Sequence, residues 1–166
     1  MPADRLTSAE RAELGSLAST LNCRRVRLYR RSTRGFSGLL RSLVLGLSRN
    51  RAIALGNHVF LPEYCHGDLP VLAHELTHCV QYQAWGPWLY FTRGFVAQFR
   101  ALLHRKLSIG SSPYRYSTEP GKPFNAYGME QQGQIVEDCF RGHPRAKAIS
   151  PFQPGQKTHD HGVPSA

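Results

Sequence analysis

The amino-acid sequence predicts an α+β fold, and two kinds of periodicity carry this prediction. The stretches 25–29 and 52–62 alternate apolar and polar residues or gather β-branched and aromatic ones, as strands do. The stretches 69–84 and 129–140 have the spacing and end residues of helices. Since the chain has 166 residues, 41% of them hydrophobic and 19% charged, one domain with a hydrophobic core is expected.

The N-terminal third begins with a helix. Thr7 is followed three residues later by Glu10, which is the capping-box pattern, and the helix is expected over 7–21. Residues 25–29 then alternate polar and apolar side chains and are expected to form a strand. The following stretch, 31–51, mixes Gly, Ser and Arg with leucines, and it is consistent with either a loop or a short helix.

The middle of the chain contains the clearest elements. Residues 52–62 read as a strand that ends at a proline, with Gly56-Asn57 as either a bulge or a tight turn. Asp68 is a good N-cap for a helix from Leu69 to Ala84, which stops before Gly86-Pro87. Further helices are expected over 88–106 and 129–140.

The domain is predicted to cover residues 1–141. From Gly142 onward the sequence contains four prolines and little hydrophobic content, so residues 142–166 are expected to form an extended or disordered tail.

Charge and cysteine content limit the classes of function. The net charge is +10, and nine arginines with no acidic residue among them lie between Cys23 and Ala52. This Arg-rich segment, 24–51, is either a solvated basic surface or a contact for an anionic partner such as nucleic acid. Four scattered cysteines without a CxxC pair argue against a zinc ribbon or a disulfide scaffold.

The chain start lacks a Sec-type signal pattern, and its longest apolar run, 88–103, is interrupted by Arg93, Gln98 and Arg100. A transmembrane segment is therefore not expected. A cytoplasmic location is the default expectation, and non-classical secretion stays open.

The stretch VLAHELTHCVQYQ (71–83) contains the arrangement HExxH. On a helix, His74 and His78 lie about 40° apart on one face, so both imidazoles can reach one metal ion. Glu75 is displaced by about 100° and can act as a base without ligating the ion. Zn²⁺ held in this way lowers the pKa of its bound water, and the glutamate takes up the proton as a carbonyl is attacked.

A catalytic zinc normally has three protein ligands, so a third must be found. The HExxHxxGxxH class is excluded because Gln81 and Ala84 stand where it needs Gly and His. Among the downstream acidic residues, Glu119 lies in a turn, while Glu130 and Glu137 lie on the last helix, about 10 Å apart along its axis.

Only one of these two can ligate a single ion, and the other could orient a ligand. Glu130 is favoured because it starts the helix, and because Gly133 nearby allows close packing on the HELTH helix. Glu137 remains the alternative ligand. Both glutamates could instead belong to the polar face of an amphipathic helix.

Together, AIALGNHVFLP, LPVLAHELTHCVQYQ and AYGMEQQGQIVEDCF (about 50–141) resemble the zincin metallopeptidase-like domains of bacterial proteins of unknown function, which often occur in or near secretion-system and polymorphic-toxin proteins. The resemblance implies a gluzincin-like fold, in which a small mixed sheet with an edge strand packs on the HExxH helix. It also implies Zn²⁺ held by His74, His78 and Glu130. Residues 52–61 would be the edge strand that pairs with an extended peptide substrate.

Three functions follow from these features. The first is a zinc-dependent peptidase that hydrolyses a peptide or protein substrate with Glu75 as the catalytic base. The second is a catalytically silent zinc-binding interaction module of a bacterial secretion or toxin system. The third is a nucleic-acid-associated protease that docks through the Arg-rich segment.

Overall fold

The computed structural model describes residues 3–30, 36–107, 115–119 and 121–155. Within these residues the fold is α+β, as predicted, with six helices and one three-stranded mixed sheet. The helices are α1 Ser8–Leu14, α2 Ser16–Thr20, α3 Phe36–Leu47, α4 Leu69–Leu107, α5 Met129–Phe140 and α6 Pro144–Ile149. The strands are β1 Arg27–Tyr29, β2 Ile53–Leu55 and β3 His58–Phe60.

The predicted capping box starts α1. The Thr7 hydroxyl accepts a hydrogen bond from the Glu10 amide at 3.1 Å, and the Glu10 carboxylate accepts one from the Thr7 amide at 2.9 Å. Gly15 then separates α1 from α2 with a φ of +55°. The single helix predicted over 7–21 is thus two short helices, which bury Leu14 and Leu17 in the core.

The sheet has the strand order β1-β3-β2. β1 runs parallel to β3, and β2 runs antiparallel to β3 with Ala54 opposite Val59. The stretch predicted as one strand, 52–62, is therefore a hairpin. Of the two alternatives for Gly56-Asn57, the tight turn is the one observed, and Gly56 supplies the positive φ, +64°, that such a turn needs.

The undecided stretch after β1 contains a helix, α3, over its described part. Arg41 fastens this helix to the sheet, because its guanidinium donates hydrogen bonds to the carbonyl oxygens of Leu61 at 2.8 Å and Tyr29 at 3.3 Å. A buried arginine on the inward face is the reverse of the usual amphipathic pattern, so periodicity alone did not distinguish helix from loop.

α4 follows the predicted cap. The Asp68 carboxylate accepts a hydrogen bond from the Val71 amide at 3.1 Å. Gly86, with φ +75° and ψ 169°, interrupts the helix at the predicted stop, and the second predicted helix continues from there as the distal part of α4. No helix in the described ranges has the length and apolar character needed to cross a membrane.

The expectation of an extended tail from residue 142 is wrong over residues 144–152. Pro144 occupies the first turn of α6, a position that tolerates proline, and the Phe152 side chain is 8% exposed in the core. The Gln153 carbonyl oxygen accepts a hydrogen bond from the Ser16 amide at 3.3 Å, which ties this segment to α2. Residues 156–166 lie outside the described residues.

Candidate metal centre

Two histidines of α4 and one glutamate of α5 meet at a buried point between the two helices. His74 and His78, one helical turn apart, have ring centroids 5.1 Å from each other. The Glu130 Oε2 atom lies 3.6 Å from His78 Nε2 and 3.9 Å from His74 Nε2. All three potential ligand atoms lie within 4.8 Å of one another, so the structure brings together the three predicted ligands.

The spacing of these atoms fits a shared ion better than direct hydrogen bonds. Hydrogen bonds between nitrogen and oxygen span about 2.7–3.2 Å, and both glutamate–histidine distances are longer. Ligands placed tetrahedrally around zinc at about 2.0–2.1 Å lie about 3.4 Å from one another. Two imidazoles and one carboxylate are also a donor set that zinc accepts, so the cluster could hold a metal ion.

The other ring nitrogen of each histidine is already occupied. His74 Nδ1 lies 3.0 Å from Glu137 Oε2, and His78 Nδ1 lies 2.8 Å from Gln81 Oε1. Arg141 donates two hydrogen bonds to Glu137 Oε1, at 3.2 and 2.9 Å. Because each Nδ1 can donate its proton to a fixed oxygen, each Nε2 is left as an acceptor directed at the cluster.

This arrangement distinguishes the two candidate glutamates. Glu130 contributes an oxygen to the cluster, whereas Glu137 binds the far side of the His74 ring. Glu137 thus lies where it can orient the His74 ring, which is the role expected for the glutamate that does not ligate the ion. Glu119 lies elsewhere, with its side chain 59% exposed and paired with Lys122 at 3.1 Å.

Gln81 is a residue of this cluster to which the sequence interpretation assigned no role. Its amide nitrogen donates to Gln132 Oε1 at 2.9 Å and to the Met129 carbonyl oxygen at 3.2 Å, while its oxygen faces His78. Gln81 therefore links the HExxH helix to the start of α5. The spacing of Gln81 from His78 could have indicated this contact, because a residue three positions after His78 lies on the same helix face.

Gly133 lets α5 approach the metal cluster closely. A β-carbon at this position would lie 2.8 Å from His74 Nε2, 2.9 Å from Cδ2 and 3.0 Å from Cε1. Any larger side chain would therefore collide with a candidate ligand. The predicted role of Gly133 in close packing on the HELTH helix agrees with this geometry.

The electrostatics of the cluster follow from burying several charges together. Burial alone would lower the pKa of His74, but the carboxylates of Glu130 and Glu137 raise it to about 10. Burial favours a raised pKa for Glu130, and the neighbouring His78 and His74 instead hold it well below its usual range. A metal ion bound between these groups would supply the positive charge that a proton on the histidines otherwise supplies to the carboxylates.

Glu75 is in a different environment from the other two glutamates. Its side chain points from the same helix as the histidines, and the residue is 6% exposed. Burial raises the pKa of the Glu75 carboxyl, although His74 and His78 oppose the shift. A raised pKa brings a carboxylate closer to the range in which general bases work.

The arginines that the structure describes in the segment 24–51 do not all face solvent. Arg41 is buried, and Arg30 forms an ion pair with Glu10 at 2.5 Å. Arg24, Arg25 and others at the ends of the segment are exposed, whereas residues 31–35 lie outside the described residues. An anionic partner for this segment stays a prediction.

A family comparison bears on the same part of the chain. Residues 48–86 match the family model described as the eCIS core domain, the core of extracellular contractile injection systems. The match covers β2, β3 and α4 as far as Gly86, so it includes His74, Glu75 and His78 and ends before Glu130. The comparisons with curated proteins and with solved structures gave no significant match. This segment is therefore similar to a secretion-system domain, in agreement with the expected secretion-system association.

Proposed function

We propose that the protein is a zinc-dependent peptidase of a contractile injection system. The observation that carries the proposal is the meeting of His74, His78 and Glu130 beside the buried Glu75. This donor set, with the third ligand on a downstream helix, is the one that the resemblance to gluzincins implies, and it supports the proposal. The similarity of residues 48–86 to the eCIS core domain supports the secretion-system context.

The residues of the site have separate tasks in this proposal. A bound zinc ion would lower the pKa of water and polarise a peptide carbonyl. Glu137 and Gln81 hold the His74 and His78 rings through their Nδ1 atoms, which keeps each Nε2 free to ligate. Glu75, buried on the same helix as the two histidines, would take a proton from the attacking water and deliver it to the leaving amine.

A catalytically silent zinc-binding module is the second candidate, and the burial of the site favours it. His74, Glu75, His78 and Glu130 are all at most 9% exposed. A structural metal site is closed to solvent, whereas a catalytic one keeps an open position. The presence of Glu75 favours the peptidase instead, because a structural site needs no general base.

Glu75→Gln separates these two functions. The zinc-loaded wild type and variant would be incubated with a proteome-derived peptide library, and new termini would be identified by mass spectrometry. Under the peptidase proposal, the wild type generates new termini and the variant does not, while both retain zinc. Equal cleavage by both proteins would contradict the role of Glu75, and zinc retention without cleavage in either would favour the module.

The third predicted function, docking on nucleic acid, has its own test. If the Arg-rich segment contacts phosphates, the affinity for DNA or RNA should fall steeply as salt rises. A gel-shift assay that shows no binding even at low salt would remove this function.

A further inference from the structure

The part of α4 beyond Gly86 contacts both the edge strand β2 and the start of α5. We call residues 87–95 the distal segment. The Tyr90 hydroxyl donates a hydrogen bond to the Ala54 carbonyl oxygen of β2 at 2.9 Å, and Tyr90 is 4% exposed. A β-carbon on Gly94 would lie 4.0 Å from the Met129 sulfur, next to Glu130. The distal segment thus reaches from the edge strand to the start of α5.

The contact with Ala54 occupies the edge at which a peptide would pair. In the β2–β3 hairpin, Leu55 faces His58 and Ile53 faces Phe60 around a two-residue turn. In such a ladder the hydrogen-bonded pairs alternate, so the Ala54 amide and carbonyl point away from β3. An added strand would use these outward groups, and the Tyr90 hydroxyl already holds the carbonyl.

The distal segment also lies next to the first residue of α5, the helix that carries the candidate ligand Glu130. In this conformation the Ala54 carbonyl is occupied by Tyr90 and is not free to pair with a peptide strand.

The distal segment is attached in a way that permits movement. Gly86 has a φ of +75°, and a β-carbon there would meet no atom within 4 Å. Trp88 and Phe95 on the outer face are 83% and 72% exposed, so the described contacts lie on one side of the helix. Arg93 stacks over the Trp85 ring at 4.4 Å and spans the break at Gly86. Apart from this stacking, the described contacts of the segment centre on Tyr90, whose ring also packs edge-to-face on Tyr82 at 5.3 Å. An element whose outer face is this exposed opens at a lower free-energy cost than the core does.

From these contacts we propose that residues 87–95 form an autoinhibitory lid, hinged at Gly86 and latched by the Tyr90 hydroxyl on the Ala54 carbonyl. Opening the lid would expose the outward edge of β2 together with the metal cluster, so that an extended peptide could pair with β2 over the site. This inference rests on the proposed peptidase function and adds its regulation.

Tyr90→Phe tests the latch with little other change, since the ring is retained. Tyr64→Phe is the matched control, because the Tyr64 hydroxyl also donates to a backbone carbonyl, that of Asn50, at 2.9 Å. The first readout is the rate at which excess chelator removes zinc from each loaded protein. We expect zinc removal to be about threefold to tenfold faster in Tyr90→Phe, because the net stabilisation by one hydrogen bond corresponds to a factor of this size. The rate should be unchanged in Tyr64→Phe.

The second readout needs neither metal nor substrate. The two tryptophans of the chain, Trp85 and Trp88, flank the hinge, so intrinsic fluorescence reports its conformation. Tyr90→Phe should shift the tryptophan emission of the metal-free protein, and Tyr64→Phe should not. A second latch variant, Arg93→Gln, removes the stacking on Trp85 and should also accelerate zinc removal.

The outcomes separate the lid from the peptidase. If Tyr90→Phe matches Tyr64→Phe in both zinc removal and fluorescence, the lid is refuted. If the wild type fails to bind zinc, the metal proposal fails, and the fluorescence readout alone decides on the lid. If Tyr90→Phe opens the site but no peptide is cleaved, the lid stands and the peptidase proposal falls.

Discussion

Replacing Gly133 by alanine should damage the metal centre through one added methyl group. The new β-carbon would lie 2.8 Å from His74 Nε2, whereas such atoms ordinarily approach to about 3.5–4.0 Å. His74 or α5 must therefore move by about 0.7 Å or more. His74 cannot simply rotate away, because its Nδ1 is bound to Glu137 at 3.0 Å.

Two opposing effects set the size of the stability change. Overpacking a core costs about 1–3 kcal/mol, and alanine in a helix interior is about 1 kcal/mol more favourable than glycine. The metal-free variant should thus lose between about 0 and 2 kcal/mol in its free energy of unfolding. Zinc affinity should fall more clearly, by about 10–100-fold, as it does when a ligand's orientation is disturbed.

The assay is urea denaturation of the metal-free protein together with zinc titration against a competing chelator. Gly46→Ala is the matched control, because Gly46 lies in α3 and a β-carbon there would meet nothing within 4 Å. The free energy of unfolding of Gly46→Ala should rise by up to about 1 kcal/mol, and its zinc affinity should equal that of the wild type. If Gly133→Ala is stabilised like the control and keeps wild-type zinc affinity, the close approach of α5 to His74 is refuted.

Two other side chains have distinct expected effects. Gln81→Leu removes the oxygen that faces His78 Nδ1 and leaves the Gln132 oxygen without its donor, so zinc affinity measured by chelator competition should fall by about 10–100-fold. Wild-type affinity in this variant would show that Gln81 does not orient His78. Burial favours a raised pKa for Glu10, but hydrogen bonds from Arg30 and Thr7 hold it below the usual 4.5. The stabilising effect of the ionised Glu10 carboxylate should therefore be present above pH 4.5 and be lost as the pH falls below that value. The stability of the wild type, measured by urea denaturation, should exceed that of Glu10→Gln at neutral pH and converge with it in acid; a constant difference would contradict the ion pair.

The sequence predicted the elements whose stability is decided locally. The capping box at Thr7, the Asp68 cap of α4 and the bounds of α5 depend on residues within one helical turn, and all three agree with the structure. The HExxH spacing likewise placed His74 and His78 on one face because helix geometry alone determines it.

Features that depend on distant contacts were not predicted. Phe152 enters the core from a proline-rich stretch, and Arg41 anchors α3 to carbonyl groups of the sheet. The contact between Tyr90 and Ala54 joins residues from two separate elements. Composition and periodicity contain no information about which elements become neighbours, so these contacts required the structure.

The choice of Glu130 over Glu137 depended on both kinds of information. The sequence showed that two glutamates on one helix are too far apart to bind one ion. The packing of α5 on α4 then brings Glu130 to the Nε2 side of the histidines and Glu137 to the Nδ1 side of His74.

The zinc content of three purified proteins tests the metal centre most directly. After zinc loading and removal of free metal, the wild type and Glu137→Ala should each contain about one zinc per chain, although Glu137→Ala releases it more readily to a chelator. Glu130→Ala should contain far less, because only two protein ligands remain. A stoichiometric zinc content in Glu130→Ala, with loss confined to Glu137→Ala, would contradict the assignment of His74, His78 and Glu130 as the ligands.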